Sequence, residues 1–92
     1  MTFSEALDME LETLKNKILE KNIKYGNSAL NPIRVFSKAP IDEGIKVRLD
    51  DKLSRIRNQM PDDTEDSVLD LLGYLVLLRI YRNTGGRVEA KI

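Results

Sequence analysis

The spacing of apolar residues predicts three amphipathic helices, and the first covers residues 2–24. Its apolar side chains recur every three or four residues and form one narrow stripe: Phe3, Leu7, Leu11, Leu14 and Ile18. Thr2 and Glu5 have the spacing of a capping box, in which each side chain satisfies a free amide of the first turn. Gly26 suits a left-handed C-terminal cap. We therefore expect a helix with a defined start and end.

Residues 26–40 have no helical period and contain two prolines and two asparagines. Pro32 and Pro40 favour extended backbone at the residues that precede them. An irregular segment of this length is long for a plain connection, and such loops are commonly functional or disordered. Because Ile33, Val35 and Phe36 are apolar, we expect an ordered, functional loop that packs in part against the helices.

The second predicted helix covers residues 42–60 and carries a basic edge. Its apolar arc consists of Ile41, Ile45, Leu49, Leu53, Ile56 and Met60. Lys52 projects into this arc, where a lysine either extends to solvent or meets a partner. Arg48 and Arg55 lie along one edge of the arc, so the three basic residues form a line on the helix.

The third predicted helix covers residues 64–82, begins with acidic residues and ends with basic ones, as the helix dipole favours. From residue 68 to residue 80 it is apolar nearly all the way round, which is typical of a helix buried on several sides. A short acidic turn requires helices two and three to be antiparallel. Two neighbours cannot enclose such a helix. We therefore expect an all-α, three-helix protomer, with one domain over residues 1–86 and a tail over 87–92, that assembles as a helical-bundle oligomer.

The charges of the chain cancel overall but are separated along it. There are 15 Lys and Arg residues and 15 Asp and Glu residues, so the net charge is zero, which argues against general nucleic-acid coating and against a polybasic membrane anchor. Residues 44–59 nevertheless carry a net charge of +3, and residues 61–70 carry −5. The junction of helices two and three is therefore the expected position of a functional site.

The absence of Cys and His excludes disulfides, Cys/His zinc sites, thiol nucleophiles and histidine proton shuttles. Catalysis would have to use carboxylates, Lys, Arg, Tyr, amides or a hard cation bound by carboxylates. The N-terminus lacks the pattern of a signal peptide, and the longest apolar stretch, residues 75–78, is far too short to span a membrane. We therefore expect a cytoplasmic protein with no membrane partner.

Two carboxylates of helix three have alternative interpretations. Asp66 and Asp70 lie one turn apart and could share a divalent cation. Alternatively, Asp66 caps the helix and Asp70 pairs with Lys52 or Arg55 of helix two.

Two groups of residues could bind an anionic ligand. The line of Arg48, Lys52 and Arg55 suits a phosphate, or else it neutralises the acidic start of helix three. At the end of helix one, Lys21, Tyr25 and Asn27 offer an amine, an aromatic ring and an amide for a base or a ribose. The alternative is a helix cap with a packed tyrosine.

Four segments taken together carry a family resemblance: K-x-x-K-Y-G-N-S at residues 21–28, N-P at 31–32, R-L-D-D-K-L-S-R-I at 48–56 and E-D-S-V-L-D-L-L-G-Y at 65–74. In this order they resemble the nucleotide-modification-associated domain, type one, a small all-α family found largely in phage genomes. The resemblance covers residues 15–82. It implies a role in nucleotide metabolism or DNA modification and, for a phage-encoded chain, location in the host cytoplasm.

A more distant similarity is to the all-α nucleoside triphosphate pyrophosphohydrolases of the MazG and dimeric dUTPase type. Those enzymes bind Mg²⁺ through a Glu-x-x-Glu pair on one helix and a Glu-x-x-Asp pair on a later one. Here Glu65, Asp66 and Asp70 match the later pair loosely, and helix one has no Glu-x-x-Glu. This departure weighs against hydrolysis more than against nucleotide binding.

The first functional expectation is therefore a small phage-type protein that binds a nucleotide or cyclic nucleotide and acts in nucleotide metabolism, DNA modification or sequestration of a nucleotide signal. Its expected ligand-binding residues are Lys21, Tyr25, Asn27, Arg48, Lys52 and Arg55. One alternative is an Mg²⁺-dependent pyrophosphohydrolase with Glu65, Asp66 and Asp70 as metal ligands. The other is a structural or protein-interaction module in which these charges form ion pairs.

Overall fold

The computed structural model describes residues 1–58 and 66–89, and within these ranges the chain has three α-helices and no strand. Helix α1 covers Phe3–Lys24, α2 covers Ile41–Asn58 and α3 covers Ser67–Thr84. The all-α class is confirmed; α3 begins three residues after its predicted start, and the other helix ends lie within two residues of the predicted ones. The predicted end of helix two and start of helix three, at residues 60 and 64, lie outside the described residues.

Both ends of α1 have the predicted caps. The Thr2 hydroxyl accepts a hydrogen bond from the Glu5 amide at 3.1 Å, and the Glu5 carboxylate accepts one from the Thr2 amide at 3.4 Å. This reciprocal pair is a complete capping box. At the other end Tyr25 is the C-cap, and Gly26 adopts a φ of 60°, a left-handed conformation that glycine enters without steric cost.

Helices α1 and α2 both pack against α3, and both are antiparallel to it. Near one end of α3, Asp70 contacts Lys52 from the second half of α2 and Lys21 from the last turn of α1. Beyond the other end, a β-carbon placed on Gly86 would lie 3.7 Å from the Cδ1 of Ile41, the first residue of α2. The predicted antiparallel arrangement of helices two and three is therefore observed.

The buried core lies between α2 and α3. Among the described residues, three apolar side chains are less than a tenth exposed: Leu30, Ile45 and Leu78. Side chains that are partly buried surround them: Ile41, Leu49, Tyr74, Leu77, Ile80 and Tyr81. No described residue of α1 is buried, so α1 lies at the edge of this core.

The segment between α1 and α2 contributes Leu30 to the core, and the prediction that Ile33, Val35 and Phe36 pack against the helices is wrong. All three are exposed, and Phe36 is 98% exposed. The physical reason is local. Hydrogen-bonded turns over residues 25–30 direct Leu30 inward. The residues that follow form a local contact instead, in which the Lys38 ammonium donates a hydrogen bond to the Arg34 carbonyl at 2.7 Å.

None of the helices within the described ranges is long and apolar enough to cross a membrane. The predicted C-terminal tail is described only in part. Residues 87–89 have no regular secondary structure, and residues 90–92 lie outside the described ranges. The division into a domain and a tail stays a prediction.

Candidate functional site

Asp70 is the centre of a charged cluster at which the three helices meet. Its side chain is only 4% exposed and faces two lysines from different helices. The ammonium of Lys21 lies 2.5 Å from Oδ1, and that of Lys52 lies 3.5 Å from Oδ2. We call these three residues the Asp70 cluster.

Each member of the Asp70 cluster is placed by its own helix. Asp70 lies in the first turn of α3, where the helix dipole favours a negative charge, and Lys21 lies in the last turn of α1, where it favours a positive one. Lys52 belongs to the apolar arc of α2, so its aliphatic stem is covered while its ammonium reaches the acid. The predicted pairing of Asp70 with a base of helix two is therefore observed, with Lys52 as the base.

The second lysine on Asp70 was not predicted as its partner. Lys21 lies 49 residues before Asp70, and the sequence predicts it to be a ligand-binding residue at the end of helix one. No local signal links the two positions, because their contact depends on the way α1 packs on α3. That packing is close at Gly73, where a β-carbon would lie 3.6 Å from the Ile18 side chain.

The Asp70 cluster presents one ammonium group toward solvent. The ammonium groups of Lys21 and Lys52 both face the carboxylate of Asp70, and Lys52 also interacts outside the cluster. The Lys21 side chain is 35% exposed, whereas that of Lys52 is 11% exposed, so the ammonium of Lys21 is the one that a ligand can reach. A lysine ammonium has three N–H donors, and an anion is the group that such a site attracts.

The turn that follows Lys21 places two further predicted ligand residues beside the cluster. Tyr25 caps α1 as predicted, but its ring is exposed instead of packed, and the Lys24 ammonium lies 5.5 Å from the ring centroid. Asn27 has a φ of 61°, and its backbone amide donates to the Asn22 carbonyl at 3.0 Å. The amine, the aromatic ring and the amide side chain therefore belong to one short stretch of chain, residues 21–27.

Of the three basic residues that form a line on α2, Lys52 is the one with an observed contact to Asp70. Lys52 contacts Asp70, while Arg55 lies 3.5 Å from Asp51 of its own helix, measured from Nε to Oδ2. Arg48 lies one turn before Lys52 and is exposed. Neutralisation of the acidic start of helix three is thus observed for Lys52. The phosphate-binding role of Arg48, Lys52 and Arg55 stays a prediction.

The residues predicted to bind Mg²⁺ fit a metal poorly where they are described. Asp66 is the N-cap of α3 and accepts a hydrogen bond from the Leu69 amide at 3.0 Å. Both oxygens of Asp70 face ammonium groups, which oppose the approach of a divalent cation. Within the part of the chain that the structure describes, no group of three or more acidic residues could hold a metal ion, and Glu65 lies outside that part. The metal role of these residues stays a prediction.

The capping role of Asp66 can be separated from a metal role by substitution. Asp66→Ala removes the acceptor for the Leu69 amide, and we expect it to lower the free energy of unfolding by about 1 kcal/mol. Asp66→Asn keeps a side-chain oxygen that accepts the hydrogen bond, so it should lower the free energy of unfolding by no more than about 0.3 kcal/mol. Urea unfolding, with and without Mg²⁺, measures both changes. If wild-type stability rises with Mg²⁺ and Asp66→Asn abolishes this rise, Asp66 is a metal ligand and not only a cap.

Comparison with known proteins does not extend these observations. No family model, curated protein or solved structure matches the chain. The function must therefore be argued from the charged cluster and the turn beside it.

Proposed function

We propose that the chain binds a nucleotide or cyclic nucleotide at the Asp70 cluster and does not turn it over. The observation that carries this proposal is the ammonium of Lys21, which is held by the buried carboxylate of Asp70, is partly exposed and lies one turn before the exposed ring of Tyr25. A nucleotide combines an anionic phosphate with a flat aromatic base. An ammonium next to an aromatic ring is complementary to both parts.

The cluster prepares Lys21 for binding before the ligand arrives. A lysine on a helix surface samples many rotamers and loses this freedom when it binds, which costs affinity. Here the buried carboxylate of Asp70 already holds the ammonium at 2.5 Å. The other oxygen of the same carboxylate faces Lys52, so Asp70 is shared between two lysines. Phosphate therefore meets a positioned ammonium donor.

The remaining predicted residues complete the proposed site. The exposed ring of Tyr25 is positioned to stack on the base, a contact that is worth about 1–3 kcal/mol in single-stranded nucleic-acid binding. The Asn27 amide can donate to and accept from a base edge or a ribose hydroxyl. Arg48 and Arg55 supply further guanidinium groups along α2 for a ligand with more than one phosphate.

The biological role that we propose follows the family resemblance of the motifs. A small phage-type protein that binds a nucleotide without turnover can act in nucleotide metabolism or DNA modification, or sequester a nucleotide signal in the host cytoplasm. Hydrolysis of the MazG type would need Asp70 to exchange its lysines for Mg²⁺, and both carboxylate oxygens face those lysines. Binding without turnover is for this reason the preferred proposal.

A thermal-shift screen tests the proposal. Nucleoside mono-, di- and triphosphates and cyclic dinucleotides are each added with and without Mg²⁺, and release of phosphate and pyrophosphate is followed in parallel. We expect one ligand class to raise the Tm without being hydrolysed, because a ligand present at 100 times its Kd stabilises the folded state by about 2.7 kcal/mol. Tyr25→Ala should raise the Kd of this ligand by about fivefold or more because stacking is lost, whereas Tyr25→Phe should leave the Kd unchanged.

Two outcomes would contradict the proposal. Release of pyrophosphate that requires Mg²⁺ and is abolished by Asp70→Asn would establish the pyrophosphohydrolase instead. The absence of any shift at millimolar ligand, in a protein that is folded and assembled, would favour the interaction module.

A further inference from the structure

The apolar stripe of α1 is left largely uncovered by the rest of the chain. Phe3 is 83% exposed, and Leu7 and Leu11 are about half exposed. Contact with α3 is concentrated in the second half of the helix, at Ile18 and Lys21. Between α1 and α3 runs an open apolar groove lined by Leu11, Leu14, Lys15, Ile18, Leu19 and Val76. The first half of α1 therefore presents an apolar face with no covering partner among the described residues.

The exposed area of the chain is large enough to form a stable interface. The chain exposes 7323 Å², whereas a compact monomeric protein of 10.5 kDa exposes about 5,400 Å². A stable protein–protein interface buries about 800 Å² on each partner. The excess area alone exceeds what one such interface requires.

The charges of α1 indicate what covers this face. The first half of the helix is acidic, with Glu5, Asp8, Glu10 and Glu12. The second half is mainly basic, with Lys15, Lys17, Lys21 and Lys24 against Glu20. A second α1 in antiparallel orientation places the acidic half of each helix opposite the basic half of the other. A parallel pair would place the two acidic halves side by side and the two basic halves side by side.

The spacing of the apolar residues gives a definite register for this pairing. Leu7, Leu11, Leu14 and Ile18 are separated by four, three and four residues, the spacing of the seam in a coiled coil. In an antiparallel pair, Leu7 of one helix lies level with Ile18 of the other, and Leu11 lies level with Leu14.

In this register the residues that flank the seam are complementary. Asp8 faces Lys15 of the second copy, and Glu10 faces Lys17 of the second copy. The twofold axis repeats both pairs, so the interface contains four ion pairs in total. The apolar spacing supplies a seam of the required length, and the flanking charges select the antiparallel arrangement.

We propose that α1 pairs with α1 of a second copy of this chain, antiparallel about a twofold axis, with Leu7, Leu11, Leu14 and Ile18 as the seam. The interface is isologous, so each copy uses the same surface. It covers the apolar groove beside Val76 and the exposed first half of α1. This inference does not depend on nucleotide binding.

Charge reversal tests the interface by sedimentation. Wild-type protein is expected to be a dimer, or a larger even-numbered assembly, at micromolar concentration. K15E/K17E converts all four ion pairs to repulsive ones and should raise the dimer dissociation constant by about tenfold or more. D8K/E10K should do the same, and an equimolar mixture of the two variants should again dimerise. K38E/R57E, which makes the same change of net charge at exposed positions away from α1, is the matched control and should leave the dimer unchanged.

Introduced cysteines test the orientation, because the chain has no cysteine of its own. L11C and L14C are prepared separately and oxidised alone or mixed. Antiparallel pairing predicts a disulfide-linked dimer in the mixture and little in either variant alone, whereas parallel pairing predicts strong linkage within each variant. Circular dichroism confirms that each variant retains its helices.

Three results would overturn the inference. The first is a monomeric wild-type protein at micromolar concentration. The second is a dimer that K15E/K17E leaves intact while Leu72→Glu, on the exposed face of α3, dissociates it. The third is self-linkage of L11C at the level of the mixture.

Discussion

Asp70→Asn is expected to lower the free energy of unfolding by about 3 kcal/mol. The substitution changes the size of the side chain little, so a cavity contributes little to the effect. It removes a negative charge that faces both Lys21 and Lys52, and the Lys52 side chain is 11% exposed. Water cannot fully replace the lost partner at that position, and a desolvated ammonium that loses a counter-charge is costly. The contact that joins α1 and α2 to the start of α3 is weakened at the same time.

Urea unfolding at a fixed protein concentration measures this loss. The matched control is Asp51→Asn, the same chemical change at an exposed carboxylate that pairs with Arg55 on the helix surface, and it should cost less than about 0.5 kcal/mol. Adding Lys52→Met to Asp70→Asn removes the ammonium that has lost the Asp70 carboxylate and should recover part of the loss. If Asp70→Asn costs no more than Asp51→Asn, the Asp70 cluster does not stabilise the fold.

The helices could be predicted from the sequence because their signals are local. The stripe from Phe3 to Ile18 marks α1, and the pair of Thr2 and Glu5 marks its start. Periodicity and capping depend on residues a few positions apart, so a single chain contains the information. The loop was predicted less well. Apolar composition suggested that Phe36 is packed, but burial depends on which surface lies nearby, and the turns before it place Leu30 in the core instead.

The candidate site could be predicted in part for the same reason. Lys52 interrupts an apolar arc, where a lysine either extends to solvent or meets a partner, and the structure shows the second outcome with Asp70. Lys21 gave no such signal toward Asp70, because the contact depends on how far α1 is displaced along α3. The separation of charge between helices two and three predicts the position of the site only coarsely. Of the acidic residues 61–70, Asp70 meets a base of α2, whereas Asp66 caps its own helix and the residues between 59 and 65 lie outside the described ranges.

The small core makes one further substitution informative. Ile45→Ala is expected to lower the free energy of unfolding by about 3 kcal/mol, because it removes buried methyl groups and leaves a cavity that the helices cannot fully close. Ile45 is 2% exposed and lies between α2 and α3 with Leu30 and Leu78. Because few apolar side chains are fully buried among the described residues, few neighbouring side chains can move into the cavity.

Val47→Ala is the matched control, because Val47 lies two residues further along the same helix and is 66% exposed. It removes methyl groups from the same secondary structure without opening a cavity, and the free energy of unfolding should change by no more than about 0.5 kcal/mol. Urea unfolding followed by circular dichroism measures both variants, and an unchanged slope with denaturant shows that the same transition is compared. Equal effects of the two substitutions would mean that α2 does not pack on α3 through Ile45. A large effect of Ile45→Ala alone would show that the contact between α2 and α3 stabilises the chain.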